Sequence, residues 1–188
     1  METNYVSKKQ ILFPTIFSSE NLIVKNDLKL NFNNNNNIFS ITETVNQRKN
    51  FNQNFKNCFS LELPPIAKFK VNNDFLAIWV RANSYLVLGN NKFKSILSKF
   101  ENLASITDQS GGWVSLNIEG KSTKSLLEKL LSLDLDSFEK GSVSRTAINK
   151  INCFVLCNEK FQKYTILCPI SFINSMKVRL VNLANLIA

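Results

Sequence analysis

Acid–base or nucleophilic chemistry in this chain would have to come from carboxylates, lysines or cysteines, because its 188 residues include no histidine. That absence removes Ser-His-Asp and Cys-His catalysis, histidine-ligated zinc, and haem or flavin attached through an imidazole. The four cysteines are Cys58, Cys153, Cys157 and Cys168. A structural zinc site prefers two close pairs on tight turns. Here Cys153 and Cys157 stand four apart in an apolar run that reads as a strand, so both thiols face one side. Reduced, buried, small apolar side chains are the simpler expectation. Asp134 and Asp136 flank Leu135 and could suggest a metal clip or an acid/base pair, yet they follow a helical pattern in a turn, where Asp serves backbone hydrogen bonds. Asp108, shortly before Ser110, is placed to accept from the amides of Gly111 and Gly112. That Gly pair carries no GxGxxG or Gly-Lys-Ser/Thr pattern and reads as a turn rather than a phosphate cradle.

The formal charge of +9 comes from 23 basic and 14 acidic residues. Only four of the bases are Arg (Arg48, Arg81, Arg145, Arg179), and no basic run is longer than Lys8-Lys9. Nucleic-acid binding needs a clustered stripe with Arg for phosphates and base edges, so a diffuse solvated surface is the better account. A basic nucleic-acid-binding module remains a second alternative. The start Met1-Glu2-Thr3-Asn4 is unlike a secretory or transit leader, and no apolar run reaches the ~18 residues that span a bilayer. A cytoplasmic location with no membrane contact is the resulting expectation.

The elements that would position these residues differ along the chain. Residues 1–20 read as an N-terminal arm, whose apolar Ile11–Phe17 needs something to dock on. Residues 21–60 read as an Asn-rich, partly stranded segment with a flexible loop at Asn33–Asn37. Short strands are expected at Leu22-Ile23-Val24, Leu28-Lys29-Leu30 and Ile38-Phe39-Ser40-Ile41, and a polar stretch over 46–57. Residues 61–188 read as one α+β domain. Phe75–Val80 and Tyr85–Gly89 form a hairpin. Phe93, Ile96, Leu97 and Phe100 mark a helix over 92–103. Trp113–Glu119 alternates with Val114, Leu116 and Ile118 inward and Ser115, Asn117 and Glu119 outward, the pattern of a strand with one wet face.

A second helix follows on Leu126, Leu127, Leu130 and Leu131, capped by Ser122 or Ser125. Strands are expected over 141–148, 151–157 and 161–167. A last helix starts after Pro169 with Ser171 as N-cap and carries Phe172, Met176, Leu180, Leu183 and Ile187. Hairpins with helices over one face imply an α+β fold of antiparallel sheets rather than a doubly wound parallel sheet.

Taken in order, one set of residues resembles the gamma subunit family of heterotetrameric sarcosine oxidase. The set is Leu63-Pro64, Ile78-Trp79, Tyr85–Leu88, Ile106–Ser110 leading into Val114–Gly120, then Leu127–Leu131, Leu133-Asp134-Leu135, Phe138, Gly141, Ser144-Arg145-Thr146, Ile148 and Tyr164–Met176. That family is similar in turn to the first part of the folate-binding aminomethyltransferases, the T-proteins of glycine cleavage. The resemblance covers about residues 60–188. It implies an aminomethyltransferase folate-binding-domain-like fold, with Asp108, Ser110, Gly120, Leu133, Asp134, Leu135, Gly141, Arg145, Thr146, Ser171 and Phe172 as structural motif positions.

Two departures bear on chemistry. Ile170 stands where the family commonly has Arg before Ser-Phe. The region that supplies a catalytic carboxylate in the aminomethyltransferases corresponds to Asn149–Phe154, which holds no acid. The resemblance therefore implies a non-catalytic subunit of a complex that oxidatively demethylates sarcosine to glycine and passes the one-carbon unit to tetrahydrofolate. Its partners would be the alpha, beta and delta subunits. No cofactor is expected on this chain, since FAD, FMN, NAD, tetrahydrofolate and zinc belong by resemblance to the other subunits. A stand-alone folate-binding aminomethyltransferase-like or tRNA-modification-associated protein is the alternative.

Overall fold

The protein is described by a computed structural model covering residues 21–25, 27–33, 37–89 and 93–187. The expected arm over 1–20 lies outside the described residues, as does Asn34–Asn36 within the Asn run. The chain clusters into two units, one of residues 21–33 with 111–187 and one of residues 37–110. The boundaries between these units lie between residues 33 and 37 and at residue 110. One of them falls at the Gly111-Gly112 turn.

The first unit is built on a six-stranded antiparallel sheet. Its strands are β1 (Asn21–Lys25), β2 (Leu28–Asn33), β8 (Trp113–Glu119), β9 (Val143–Ile148), β10 (Ile151–Glu159) and β11 (Lys163–Pro169), in the order β1-β2-β8-β11-β10-β9. Strand alternation places Leu28, Leu30 and Phe32 of β2, Val114, Leu116 and Ile118 of β8, and Tyr164 and Ile166 of β11 on one face. That face is closed by Leu126, Leu127 and Leu130 of α3 (Thr123–Leu130) and Met176, Leu180 and Leu183 of α4 (Ile173–Leu186). All of these side chains are buried, which is the usual solution for an amphipathic helix over a sheet.

The second unit holds a five-stranded antiparallel sheet of β3 (Asn37–Glu43), β4 (Phe69–Val71), β5 (Phe75–Arg81), β6 (Ser84–Gly89) and β7 (Ala104–Asp108), in the order β4-β5-β6-β3-β7. Two helices, α1 (Arg48–Phe59) and α2 (Phe93–Leu97), contribute Phe51, Phe55, Phe59 and Phe93 to its core beside Phe75, Tyr85 and Phe100. The α+β class with antiparallel sheets is thus the fold of the chain.

Several local expectations need correction. The polar stretch at 46–57 is largely α1, because Phe51, Phe55 and Phe59 repeat every fourth residue and bury one helical face under an Asn-rich outer face. The helix over 92–103 is shorter. It gives way to a 3-10 turn at Ser98–Phe100, Asn102 takes φ +62°, and the chain leaves as β7 to pair with β3. Neither Ser122 nor Ser125 caps α3 by its side chain: Ser122 is the N-cap without a side-chain bond. Ser171 lies in a 3-10 turn, Ile170–Phe172, and Phe172 rather than Ser171 is the N-cap of α4.

The β8 strand does not have a wet face. Ser115 and Asn117 are 0% and 2% exposed, so both faces of its middle are covered. All six residues of β6 are likewise buried. Alternation alone does not distinguish a polar position that stays in water from one that the fold buries.

Candidate functional site

A polar row on the sheet face opposite α3 and α4 is the most unusual feature of the first unit. Register brings Asn31 of β2 opposite Asn117 of β8, and Asn117 opposite Thr165 of β11. Asn158 joins from β10, where it is the extra residue of a bulge between Cys157 and Glu159 that aims it along the row. The Thr165 hydroxyl lies 2.7 Å from Asn117 Oδ1 and 2.9 Å from Asn158 Oδ1. Asn31 is 1% exposed, and neither its Nδ2 nor its Oδ1 has a hydrogen-bond partner. Further along the same face the Arg145 guanidinium sits 5.8 Å from the Phe154 ring, which lies 5.5 Å from Trp113.

Amides and a hydroxyl hydrogen-bond and orient but do not exchange protons near neutral pH. The row therefore offers no proton-transfer step. A buried amide without a partner costs roughly 1–3 kcal/mol. Replacing Asn31 with Leu should leave the thermal midpoint unchanged or raise stability by about 1 kcal/mol. Replacing Asn117 with Leu, which removes one of the two Thr165 hydroxyl contacts and leaves the one to Asn158, should lower stability by about 1 kcal/mol. Thermal denaturation of the two variants checks the pair. A loss for Asn31→Leu as large as for Asn117→Leu would mean that Asn31 is satisfied in solution.

Asp108 and Asp134 organise turns. Asp108 Oδ1 accepts from the backbone N–H of Ser110 at 2.9 Å and from its hydroxyl at 2.6 Å. Ser110 Oγ in turn accepts from the N–H of Ile38 at 3.0 Å. Asp108 thus closes a turn onto Ser110. Asp134 accepts from the N–H groups of Asp136 and Ser137, while Asp136 pairs with Lys124 at 2.7 Å. Leu135 is buried in the first core, where the half-buried Leu133 packs against it. Gly120 and Gly141 take positive φ at the ends of β8 and before β9. Arg145 and Thr146 lie on the edge strand β9, and Ser171 and Phe172 are exposed in the turn before α4.

Titration behaviour follows the same division. Hydrogen bonds from Ser122 hold the Asp27 carboxyl below its usual range, Lys56 does the same for Glu62, and Ser137 with the Asp136 N–H for Asp134. Burial pushes the Cys153 thiol up to about 12 and the Cys168 thiol up to about 11, and it also raises Cys58. Burial likewise raises the Tyr164 phenol to about 12. Among the described residues the groups that move shift away from neutrality, whereas general-base and nucleophilic chemistry need them to move toward it.

The described residues contain no group of three or more potential metal ligands. None of the four cysteines forms a disulfide, and Cys153, Cys157 and Cys168 sit in the first core. An aromatic disulfide reagent at pH 8 should label the half-buried Cys58 first and the other three only in denaturant. Rapid labelling of Cys153 in the native chain would contradict this burial.

No protein-family model matches the chain, and no curated protein matches it in sequence. Solved structures do. A chain of the heterotetrameric sarcosine oxidase from Corynebacterium sp. U-96 is similar with a TM-score of 0.74 at 13% identity, over 93% of this chain and 90% of that one. The glycine cleavage system aminomethyltransferase T from Bartonella henselae is similar with a TM-score of 0.62 at 10% identity, over 84% of this chain and 46% of that one. The chain therefore has an aminomethyltransferase-type fold. None of its described helices is long and apolar enough to cross a membrane.

Proposed function

We propose that this chain is a non-catalytic structural subunit of a heterotetrameric sarcosine oxidase-type complex, packing against the alpha subunit. The observation that carries this reading is coextensive likeness. The chain matches 90% of a single chain from the Corynebacterium oxidase but only 46% of the Bartonella aminomethyltransferase. A chain that covers nine-tenths of one member of an assembly is suited to a like place in such an assembly.

The titration pattern supports the same reading, because lowered carboxylates and raised thiols make poor bases and nucleophiles. The cofactors of such a complex, the flavins, the dinucleotide, folate and zinc, would sit on the alpha, beta and delta chains. This chain would supply a docking framework.

Co-expression with candidate alpha, beta and delta subunits from the same genome tests the proposal. The expected result is that this chain co-purifies with them through affinity and size-exclusion steps. A monodisperse monomer that ignores the other three would overturn it. So would tetrahydrofolate binding by the isolated chain together with turnover, which would favour the stand-alone folate-dependent reading.

A further inference from the structure

We infer that the outer face of α4, with the turn leading into it, is the surface on which this chain docks a different subunit that presents carboxylates. The inference rests on the structural-subunit reading above and says where that contact lies. Seven large hydrophobic side chains are exposed among the described residues, and four of them, Ile170, Phe172, Val178 and Leu186, belong to this one segment. Val178, Asn182 and Leu186 repeat every fourth residue along α4, opposite the buried Met176, Leu180 and Leu183.

The remaining composition of the face sets it apart from the other helices. The only charged side chain exposed there is Arg179, because Lys177 is half-buried with its ammonium 5.0 Å from the Phe32 ring. By contrast α1 exposes Arg48, Lys49 and Lys56, and α3 exposes Glu128 and Lys129. Interface centres are depleted in Lys, Glu and Asp and enriched in aromatic residues and Arg. Phe172 and Arg179 are residues of that kind. Arg179 also lines a shallow depression of about 480 Å³ with Asn174, Ser175, Val178 and Asn182.

Charge selects the occupant. After Glu159 the sequence contains Lys160, Lys163, Lys177 and Arg179 but no acidic residue. Two copies meeting through this face about a two-fold axis would bring the Arg179 side chains together with no carboxylate on α4 or the turn before it to answer them. A partner of different sequence carrying an Asp or Glu opposite Arg179 removes that cost and gains a charge-assisted pair. The helix is roughly 21 Å long at 1.5 Å per residue. It therefore supplies only part of the ~800 Å² per partner that a stable interface takes, and serves as the centre of a wider footprint.

The test uses the full chain co-expressed with the alpha, beta and delta subunits, followed by size-exclusion chromatography with mass determination. Val178→Asp and Leu186→Glu should abolish co-elution, Arg179→Glu should weaken it at least tenfold, and Ile66→Asp, at an equally exposed apolar position in the second unit, should leave it intact. Far-UV circular dichroism and melting of each variant confirm that the fold persists. Arg179→Glu, fully on the surface, keeps the test open if an apolar substitution unfolds the chain.

Co-elution of all four variants like the parent would overturn this inference and leave the subunit reading standing. Failure of the parent chain to co-elute would overturn both. A dimer of the isolated chain that Val178→Asp turns into monomer would assign the face to a second copy and overturn the heterologous partner.

Discussion

Truncating Phe59 to Ala should destabilise the unit of residues 37–110 by about 3–5 kcal/mol, the range for a buried aromatic cut to a methyl group. Phe59 is 1% exposed, and its ring centroid lies 4.8 Å from that of Phe55, 5.1 Å from Phe75 and 5.5 Å from both Phe93 and Phe100. One side chain thus links α1, β5, α2 and the 3-10 turn after it. The vacated volume is walled by rings that are themselves buried, so collapse into it is limited. Urea denaturation followed by the near-ultraviolet signal of the Tyr and Trp residues reads the loss. A change under 1 kcal/mol would mean that α1 is not seated on this core.

A comparable loss, about 3 kcal/mol, is expected for Gly120→Ala at the end of β8, combining left-handed strain with a backbone clash. Gly120 has φ +137°, and a Cβ there would fall on the carbonyl oxygen of Asp27 and within 2.8 Å of its carbonyl carbon. The obstruction is main chain, which no rotamer change relieves. Nor can Asp27 move freely, because its carboxylate accepts the N–H of Ser122 at 2.7 Å. Gly141→Ala is the control. Its φ is +83° with nothing within 4 Å of the added atom, so strain acts alone and the cost should be about 1–2 kcal/mol. Equal midpoints for the two variants in the same denaturation series would contradict the close approach.

The sequence made some of this architecture legible because certain patterns have only one good folded solution. The hairpin of β5 and β6, the strand β8 and the Leu stripe of α3 form where the sequence places them, although β6 and the middle of β8 are buried on both faces. The helix α1 was obscured by composition. Its nine other positions are Arg, Lys, Asn, Gln and Cys, and only the four-residue spacing of Phe51, Phe55 and Phe59 gives it away. Caps were misjudged for a related reason. A Ser near a helix start competes with backbone geometry, and at α3 and α4 the backbone closes the turn without a side-chain bond.

The polar row was out of reach for a different reason. Asn31, Asn117 and Thr165 are far apart in the chain and become neighbours only through the register of β2, β8 and β11. No local pattern encodes that adjacency. Asp108 and Asp134 were legible as turn formers, since the contacts they make to their own turns lie within three residues. The docking face of α4 lay between these cases. Its buried stripe follows from helical spacing, but the exposure of Phe172, Val178 and Leu186 needs the folded chain to be seen.

Native mass spectrometry of the co-expressed alpha, beta and delta subunits with this chain tests the structural-subunit account most directly. One intact species whose mass includes this 21.4 kDa chain in single copy is the predicted result. A three-chain assembly complete without it, beside a free 21.4 kDa species, would contradict the account.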